Sequence, residues 1–400
     1  MVWKTDSNEP DVKNALKHGT GVGINIDAWG NQKVTQEKSI IHGMFTNTIP
    51  ADMWKESIND IEQSSFVNAT SSQGLMFLTS NGILDDDVKL STFRHPRYQP
   101  NRGHHYAISL FLPSPTALGQ RDFGMFTAVS GVFFRLKSDG NLYAVRRAII
   151  DSVVTDIEEL INIPFNVDLE KGNIFDIQMQ WRGVGNIIFF IGNPVTGVSQ
   201  PVHEFRLLGV LDNLSLANPA LPIAFKCTNQ GEDVTMKSGC VDVSTEGGDS
   251  DENKLYGSVG ITNESGQVSI TGFNVPIIIA KSLAIFNGTE NTRDIQALLA
   301  TGYSDQRSLL RVWVTRDESA IILNDQSWVP VGDGNLEVIE YNNPPETTPV
   351  EFDTSKVHLV FSGRVDQDNS LSTTALFQGV TRIYQSPGDI FIFTLHRENG

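Results

Sequence analysis

The chain has 400 residues, of which 40% are hydrophobic and 19% are charged, and its formal net charge is −17. This length allows about two or three domains, each with enough apolar residues to bury a core. A surface this acidic repels nucleic acid and anionic membranes, so we expect neither as a partner. The negative charge keeps the protein soluble in a crowded assembly. Alternatively, it attracts divalent cations or a basic partner.

The cysteine content and the hydropathy exclude two further classes of protein. The longest apolar runs, such as residues 275–280, are far shorter than the about 18 residues that a membrane-spanning helix needs. The first ten residues lack the apolar stretch of a secretory signal, so we expect synthesis in a reducing cytoplasm. Cys227 and Cys240 are too few for a disulfide framework. They face each other on neighbouring strands, or they remain two free buried thiols, which we favour.

Residues 1–100 are the most mixed part of the chain, and we expect them to contribute an arm and some elements to the domain that follows. Strand-like runs occur at residues 39–45 and 75–79. Prolines and glycine make residues 94–104 an irregular link. Between the two runs, residues 52–66 are predicted to form a short helix. Its apolar residues at helical spacing are Trp54, Ile58 and Ile61.

From residue 105 the pattern is almost wholly that of β-strands. The clearest segment is residues 173–181, where apolar and mostly polar residues alternate with a period of two. The glycine-containing turn 182–185 and the apolar run 187–191 complete a hairpin. Residues 138–141, with Asp-Gly at the centre, predict another hairpin turn.

Further short strands are predicted on both sides of these hairpins, at residues 105–112, 123–128, 132–136, 142–147, 203–208, 221–227 and 234–243. Only residues 152–161 interrupt the series, as a loop or a single helical turn. So many short strands separated by turns predict a mainly β protein whose core, residues 101–248, is an antiparallel β-sandwich or jelly roll.

A second β-domain is predicted at residues 249–400. The stretch 246–253 is acidic and contains no apolar residue, as domain boundaries commonly are. Residues 293–300 have a helix-like pattern, and residues 342–349 form a proline-rich loop. Strands are predicted at residues 268–273, 277–286, 309–315, 320–323, 357–362, 374–377 and 389–395.

No motif for a metal or a cofactor is evident. The glycines of residues 19–23 fit neither phosphate-binding pattern. His104 and His105 are adjacent, so on a strand they point to opposite faces and cannot share an ion. Asp85–Asp87 and residues 249–252 could hold calcium, although solvated acidic loops are commoner. We therefore expect no cofactor, with calcium as the alternative.

The sequence also contains no motif that is typical of nucleophilic catalysis. We therefore expect that the chain is not an enzyme. Asp176 and Glu204 lie on predicted strands, where a solvent-facing polar face explains both. No catalytic, metal-binding or ligand-binding residue is assigned. Arginines concentrate in the central region and are expected to pair within the fold or with a neighbouring subunit. They are Arg97, Arg102, Arg146, Arg147 and Arg182.

Four stretches in this order resemble a group of tailed-bacteriophage virion structural proteins. They are residues 27–45, with DAWGNQKV leading into SIIHGMF; residues 97–104, RYQPNRGH; residues 123–147, with FGMF, GVFFRL and LYAVRR; and residues 176–185, DIQMQWRGVG. The resemblance covers about residues 25–248. It implies a concanavalin-like or jelly-roll sandwich displayed on a phage particle, and it carries no catalytic residues.

Two functions are compatible with this resemblance. The first is a non-enzymatic virion structural protein, a head decoration, neck or tail component made in the host cytoplasm, which contacts capsid, neck or tail proteins. We expect a homo-oligomer, a trimer, because so many sheet edges need cover. The alternative is a phage adhesin for host surface glycans, in which Trp313 and Trp328 stack on sugars instead of packing in a core. A polysaccharide-active enzyme would need acidic residues that converge in a groove.

Overall fold

The computed structural model describes residues 38–51, 53–80, 84–96, 98 and 102–245, followed by segments of the C-terminal part. These are residues 275–286, 289–291, 295–296, 301–303, 308–324, 327–331, 334, 336–340, 351–365, 370–372, 384–385 and 388–397. The chain divides into two compact units, Met1–Glu252 and Asn253–Gly400. The described elements are β-strands and two single-turn 3-10 helices, which confirms the mainly β fold class. None of the described helices has the length and apolar character to span a membrane.

The first unit contains sixteen described strands. They are β1 (Lys38–Met44), β2 (Trp54–Ile58), β3 (Ile61–Glu62), β4 (Ala69–Ser72), β5 (Leu75–Ser80), β6 (Asp87–Thr92), β7 (His104–Phe111), β8 (Gly119–Phe126), β9 (Gly131–Leu136), β10 (Leu142–Ile150), β11 (Val153–Leu160), β12 (Asn173–Met179), β13 (Ile187–Gly192), β14 (Ser199–Phe205), β15 (Ile223–Asn229) and β16 (Val234–Thr245).

These strands form two eight-stranded antiparallel sheets. Sheet one has the order β14-β13-β12-β7-β16-β5-β4, and β1 pairs with β16 next to β5. Sheet two has the order β11-β10-β9-β8-β15-β6-β2-β3. Strands from the first hundred residues therefore lie in both sheets, beside strands that come more than a hundred residues later.

Phenylalanines from both sheets meet in the core of the sandwich. The ring of Phe134 on β9 lies 5.2 Å from Phe123 on β8, 5.3 Å from Phe175 on β12 and 4.9 Å from Phe189 on β13. All four side chains are fully buried. Because alternate residues of a strand point to one face, each of these strands sends its other side chains to the outside of the sandwich.

The helix predicted at residues 52–66 is wrong, because the segment is the hairpin β2–β3. Its turn residues Asn59 and Asp60 have φ angles of 49° and 63°, which a right-handed helix does not allow. Trp54 and Glu56 share the inward face. The buried Glu56 carboxylate accepts backbone hydrogen bonds from residues 67–69, including one of 2.8 Å from Ala69, and so anchors the following loop.

The loop or single helical turn predicted at residues 152–161 is also wrong, since these residues contain the eight-residue strand β11. Asp151 and Ser152 adopt φ angles of 50° and 67° and form the two-residue turn that joins β10 to β11. The valines, isoleucine and threonine of this strand favour extended backbone, but its three carboxylates obscured the alternation.

Both hairpins expected from glycine-containing turns are present. Gly140, at a φ of 78°, lies in the turn between β9 and β10. In the turn between β12 and β13, the Gly185 N–H donates to the Trp181 carbonyl at 2.6 Å. A Cβ on Gly185 would lie 1.7 Å from the Gln180 carbonyl oxygen, so only glycine fits there.

The second unit is built from shorter strands. They are β17 (Val275–Ser282), β18 (Ile285–Phe286), β19 (Thr289–Glu290), β20 (Ile295–Gln296), β21 (Thr301–Tyr303), β22 (Ser308–Thr315), β23 (Ile321–Ile322), β24 (Val329–Val331), β25 (Leu336–Glu340), β26 (Glu351–Phe352), β27 (His358–Val365), β28 (Ser370–Ser372), β29 (Tyr384–Gln385) and β30 (Ile390–Arg397). The 3-10 helices are Glu318–Ala320 and Thr354–Lys356, each capped by the preceding aspartate.

One antiparallel sheet of the second unit has the order β24-β25-β17-β30-β22-β27, and four two-stranded pairs accompany it. In the segment with a helix-like pattern, residues 295–296 are strand β20, so the helix is wrong there. Several other predictions lie outside the described residues. They concern residues 19–23, 27–34, 246–253, 268–273, 342–349 and 374–377.

Replacement of Phe134 by alanine is expected to lower the free energy of unfolding of the first unit by about 3–5 kcal/mol. The ring contacts phenylalanines of both sheets, so its loss leaves a cavity between them. Urea unfolding followed by circular dichroism measures the change. Val195→Ala, at an exposed position of the loop between β13 and β14, is the control and should cost less than about 0.5 kcal/mol. A similar effect of the two substitutions would contradict the core position of Phe134.

Candidate functional site

The outer face of sheet two carries a network of paired charges centred on Arg135. The register places Asp122 of β8 directly opposite Arg135 of β9. Arg135 donates from Nε to Oδ1 of Asp122 at 2.8 Å and from Nη2 to Oδ2 at 2.7 Å. The same guanidinium contacts Asp156 at 3.1 Å and donates to Glu158 through Nη1. One arginine therefore orients three carboxylates.

Strands β10 and β11 extend this network. Arg147 lies opposite Asp156 and donates to both of its carboxylate oxygens, at 2.7 and 2.9 Å. Its Nη1 also donates to the Thr127 carbonyl at 2.9 Å, beyond the end of β8. Lys137, just after β9, donates to Glu158. In a bidentate pair, two parallel hydrogen bonds fix the orientation of both the guanidinium and the carboxylate group. A single hydrogen bond would leave them free to rotate.

The network keeps Asp156 and Glu158 of β11 ionised. Partial burial alone would raise the pKa of Asp156, but the hydrogen bonds and charges of Arg147 and Arg135 hold it below its ordinary value. For Glu158, burial likewise opposes Lys137 and Arg135, and the net result is again a lowered pKa. At neutral pH both groups accept hydrogen bonds and neither carries a proton to donate.

Aromatic rings lie directly beneath the guanidinium groups. Phe126 and Phe133 are 4.7 Å apart, and both are buried although they are on the outer face of the sheet. The Arg147 guanidinium carbon is 5.1 Å from the Phe133 ring centre, and that of Arg135 is 5.2 Å from it. A Cβ on Gly131 would lie 2.3 Å from the Phe126 Cβ, so the ring pair requires glycine opposite Phe126. The arginines and rings form one stacked layer.

This layer borders an open groove of about 470 Å³ on the same face. Its cationic side chains are Lys89, Arg135, Arg147 and Lys226. Its carboxylates are Asp60, Asp156 and Glu158, and Phe126, Thr127, Ala128 and Val154 complete the lining. A volume of this size falls within the range of ligand-binding sites in proteins.

The far end of the groove contains two further ion pairs, contributed by β15, β6 and the turn after β2. Lys226 contacts Asp87 at 2.5 Å, and Lys89 contacts Asp60 at 3.3 Å. Asp87 also accepts from the Thr228 hydroxyl at 2.5 Å. The alternative of calcium at Asp85–Asp87 finds no support here, since Asp87 pairs with a lysine and Asp86 accepts from Asn59. Within the described residues, no three His, Cys, Asp or Glu side chains converge as metal ligands.

The histidines and strand carboxylates considered from the sequence are not brought into one site. His104 is buried, whereas the His105 Nε2 lies on the other face, 3.8 Å from Asp176. Asp176 accepts from the Ser199 hydroxyl. Glu204 accepts from Asn186 and Arg206, each at 3.0 Å.

The arginines of the central region separate into different environments. Arg146 points inward and donates to the Ser215 carbonyl at 2.8 Å, and its burial lowers its pKa. Arg147 points outward and pairs with Asp156 within its own unit. At Arg182 the backbone N–H donates to the Tyr98 hydroxyl at 3.1 Å. Arg102 precedes β7, and Arg97 lies outside the described residues.

The tryptophans of the second unit pack against its own core. The Trp313 Nε1 donates to the Thr394 hydroxyl at 3.1 Å, and its ring lies 5.8 Å from that of Phe352. The Trp328 Nε1 donates to Glu318 at 3.1 Å, and the Lys281 ammonium covers the ring at 4.4 Å. Of the two roles considered from the sequence, these contacts favour packing over a sugar-stacking surface.

Both cysteines are free, but only one of them is buried. Cys227 lies on β15 and faces the core, where burial raises its pKa to about 12. Cys240 lies on β16 in the other sheet and is exposed. The expectation of two buried thiols is therefore wrong for Cys240, because the bulge of β16 at Ser238–Cys240 turns its side chain outward.

No protein-family model matches this chain, and no curated protein is detectably similar to it. Solved structures are similar in fold. A glycosyl hydrolase family protein from Mycobacterium fortuitum is 12% identical, with a TM-score of 0.39 over 52% of this chain and 99% of that one. A laminarinase catalytic domain from Thermotoga petrophila is also 12% identical, with a TM-score of 0.36 over 55% and 100%.

A third similar structure is the CBM2 module of the evolved Dit of Lactobacillus casei BL23 phage J-1. It is 10% identical, with a TM-score of 0.37 over 54% of this chain and 100% of that one. The likenesses concern the fold alone, a concanavalin-like or jelly-roll sandwich, as expected from the sequence. They do not single out the group of virion proteins. Because the similar structures are mostly glycoside hydrolases by name, the prediction that the chain is not an enzyme is contradicted and is withdrawn.

Asp156→Asn is expected to lower the free energy of unfolding by about 2 kcal/mol at pH 7, because it removes charge-assisted hydrogen bonds to two arginines. The folded pKa of Asp156 is depressed, so this stabilisation is complete above the unfolded pKa of about 4 and disappears as the pH falls through the folded value. Urea unfolding at about pH 7, 5 and 3 is the measurement. The difference in unfolding free energy between wild type and variant should become smaller at the lowest pH.

Asp151→Asn provides the matched control for this experiment. Asp151 is an exposed residue in the turn that precedes β11, and asparagine tolerates its positive φ. The control should leave the unfolding free energy within about 0.5 kcal/mol of wild type. An equal pH dependence in both variants would show that the ion pairs of β11 do not stabilise the fold.

Proposed function

We propose that this chain binds a polysaccharide along the groove on the outer face of sheet two. The observation that carries the proposal is the direction of the groove. Its lining includes residues of β6, β15, β8, β9, β10 and β11, so it runs across six neighbouring strands. At about 4.8 Å per strand the face spans on the order of 24 Å, which suits an extended polymer better than a compact small molecule.

The chemistry of the lining favours a hydroxyl-rich polymer over a peptide. Peptide grooves rely on pockets for apolar side chains or on strand addition at an edge. In this groove the exposed apolar lining residues are Val154 and the small Ala128, and the phenylalanine rings lie beneath arginines. Fixed guanidinium groups offer donors, and fixed carboxylates offer acceptors, within the same groove. Sugar hydroxyls use both.

The biological setting follows from the resemblance of residues 25–248 to phage virion proteins. We propose that the protein is made in the host cytoplasm, joins the virion as a homotrimer in contact with capsid, neck or tail proteins, and binds glycans of the host surface there. The −17 net charge of the chain disfavours direct binding to anionic membrane lipids and is compatible with a carbohydrate as the surface target.

A substitution that fills the groove tests this function. Ala128→Trp adds a large side chain at an exposed position of the lining without touching an ion pair. It is expected to weaken binding of the best glycan on a microarray by at least about tenfold, with an unchanged unfolding midpoint. Calorimetry gives the affinity, and a reducing-end assay on the same glycan tests whether binding leads to cleavage.

Val195→Trp is the matched control, because it adds the same side chain at an exposed loop on the other sheet. It should bind like wild type. Glycan binding that survives Ala128→Trp would place the site elsewhere, whether or not Val195→Trp also binds. Binding of no glycan at all would reject the proposed function.

A second candidate function, contact between subunits, rests on strand β11. It is the eight-residue edge of sheet two, whereas the edge strands β3 and β4 are short, β14 contains Pro201 and β1 has a bulge between Ser39 and Ile41. The hairpin that β11 forms with β10 also ends in exposed apolar residues. Ile150 is 37% exposed and Val153 is 62% exposed, beside Ile149 and Val154. A long edge with an apolar tip favours pairing with another chain.

The double variant Ile150→Lys and Val153→Lys is expected to dissociate the oligomer, because two charges would enter an apolar contact. Analytical ultracentrifugation should show a trimer for wild type and a monomer for the variant. Leu208→Lys with Val210→Lys adds the same charge at exposed positions of the loop after β14 and should remain a trimer. A wild-type monomer at micromolar concentration would remove the basis for this candidate.

A further inference from the structure

The charges of the groove are balanced, whereas the chain as a whole is strongly acidic. Its ion pairs join five cations, Lys89, Arg135, Lys137, Arg147 and Lys226, to five carboxylates. These are Asp60, Asp87, Asp122, Asp156 and Glu158. The lining alone has one cation more than it has carboxylates, but with Lys137, Asp87 and Asp122, which pair with lining residues, the network is neutral in a chain of net charge −17. This balance bears on which class of glycan can enter.

We infer that the groove selects uncharged glycans and rejects both uronate-type and amine-bearing ones; this inference rests on the proposed function. Each cation of the network is already neutralised by a carboxylate, so an anionic sugar gains a full charge pair only where a cation gives up its own partner. At the centre of the network that exchange is costly, because Asp122 is 1% exposed and Arg135 is 6% exposed. A cationic sugar would likewise have to displace an arginine or a lysine from its carboxylate, at a similar cost.

A neutral sugar requires no such exchange. A carboxylate has about four lone-pair positions, and the arginine pairs of Asp156 occupy only part of them. Hydroxyl groups can donate to the remaining positions while the ion pairs stay intact. The pairs then act as a pre-ordered polar surface, and the ligand bears little of the cost of ordering it.

The ion pairs at the far end of the groove are compatible with the same preference for neutral glycans. Lys89 and Asp60 form the most exposed pair, and Asp60 is 74% exposed, so this pair alone could be broken at little cost. Lys226 and Asp87 at 2.5 Å are less exposed, and the Thr228 hydroxyl also holds Asp87. An acidic ligand attracted to Lys89 would still approach against the negative field of the whole chain.

A microarray of matched linear oligosaccharides tests the inference. It carries neutral hexosans, oligouronates and oligoglucosamines of equal length, probed with the full-length wild-type chain. Wild type is expected to bind members of the neutral set, with oligouronates and oligoglucosamines at least about tenfold weaker. Neutral binding should change little between low and high salt, because screening acts on interactions between free charges.

The substitution Glu158→Gln tests the inference through a gain of binding to oligouronates. The substitution removes the carboxylate that Arg135 Nη1 and Lys137 share, so two cationic groups face the groove with one anion fewer. This variant is expected to acquire salt-sensitive binding to oligouronates. Glu159→Gln is the matched control, since Glu159 is the next residue of β11, points to the other face and lies 3.4 Å from His203. It has the same change of charge and should acquire nothing.

The outcomes separate the inference from the function on which it rests. Equal or tighter binding of oligouronates by wild type would overturn the preference for neutral glycans and leave glycan binding standing. A folded Glu158→Gln variant without any gain for oligouronates would overturn the role of the ion pairs in selection. Failure of wild type to bind all three sets would reject the proposed function and, with it, this inference.

Discussion

The two-residue alternation of β9 determines both the core and the groove of the first unit. Phe134 points inward and joins phenylalanines of both sheets, while Phe133 and Arg135 on either side of it point outward. Because one short strand serves both faces, the position of the groove network cannot shift without moving the core. The tight packing between the sheets therefore supplies the rigidity that the charged groups need.

Rigidity matters because the outer face combines buried charge with buried aromatic area. Arg135 and Asp122 lose most of their hydration, and the bidentate geometry together with the Asp156 and Glu158 contacts compensates for that loss. The Phe126 and Phe133 rings exclude water from below. A loosely held network of this kind would rearrange around any ion, whereas a rigid one discriminates between ligands by whether they leave its pairs intact.

Sequence reasoning recovered the β-sandwich because periods of two and glycine turns are local signals, and most strands of the first unit were predicted within a few residues. The hairpins at Gly140 and Gly185 are clear examples. It failed at β2–β3, where Trp54 and Ile58 mimic helical spacing while their strand instead packs on β6. The groove was missed for a different reason. Its pairs, Asp122 with Arg135 and Arg147 with Asp156, depend on strand register, which one sequence does not reveal.

Strand β11 connects the two candidate functions physically. Its outward carboxylates, Asp156 and Glu158, belong to the groove, while its free length and the apolar tip at Val153 offer an edge for another chain. An added strand at this edge would extend sheet two and lengthen the groove beyond β11. Subunit contact and ligand binding would then support each other, because a bound polymer would span the joined sheets.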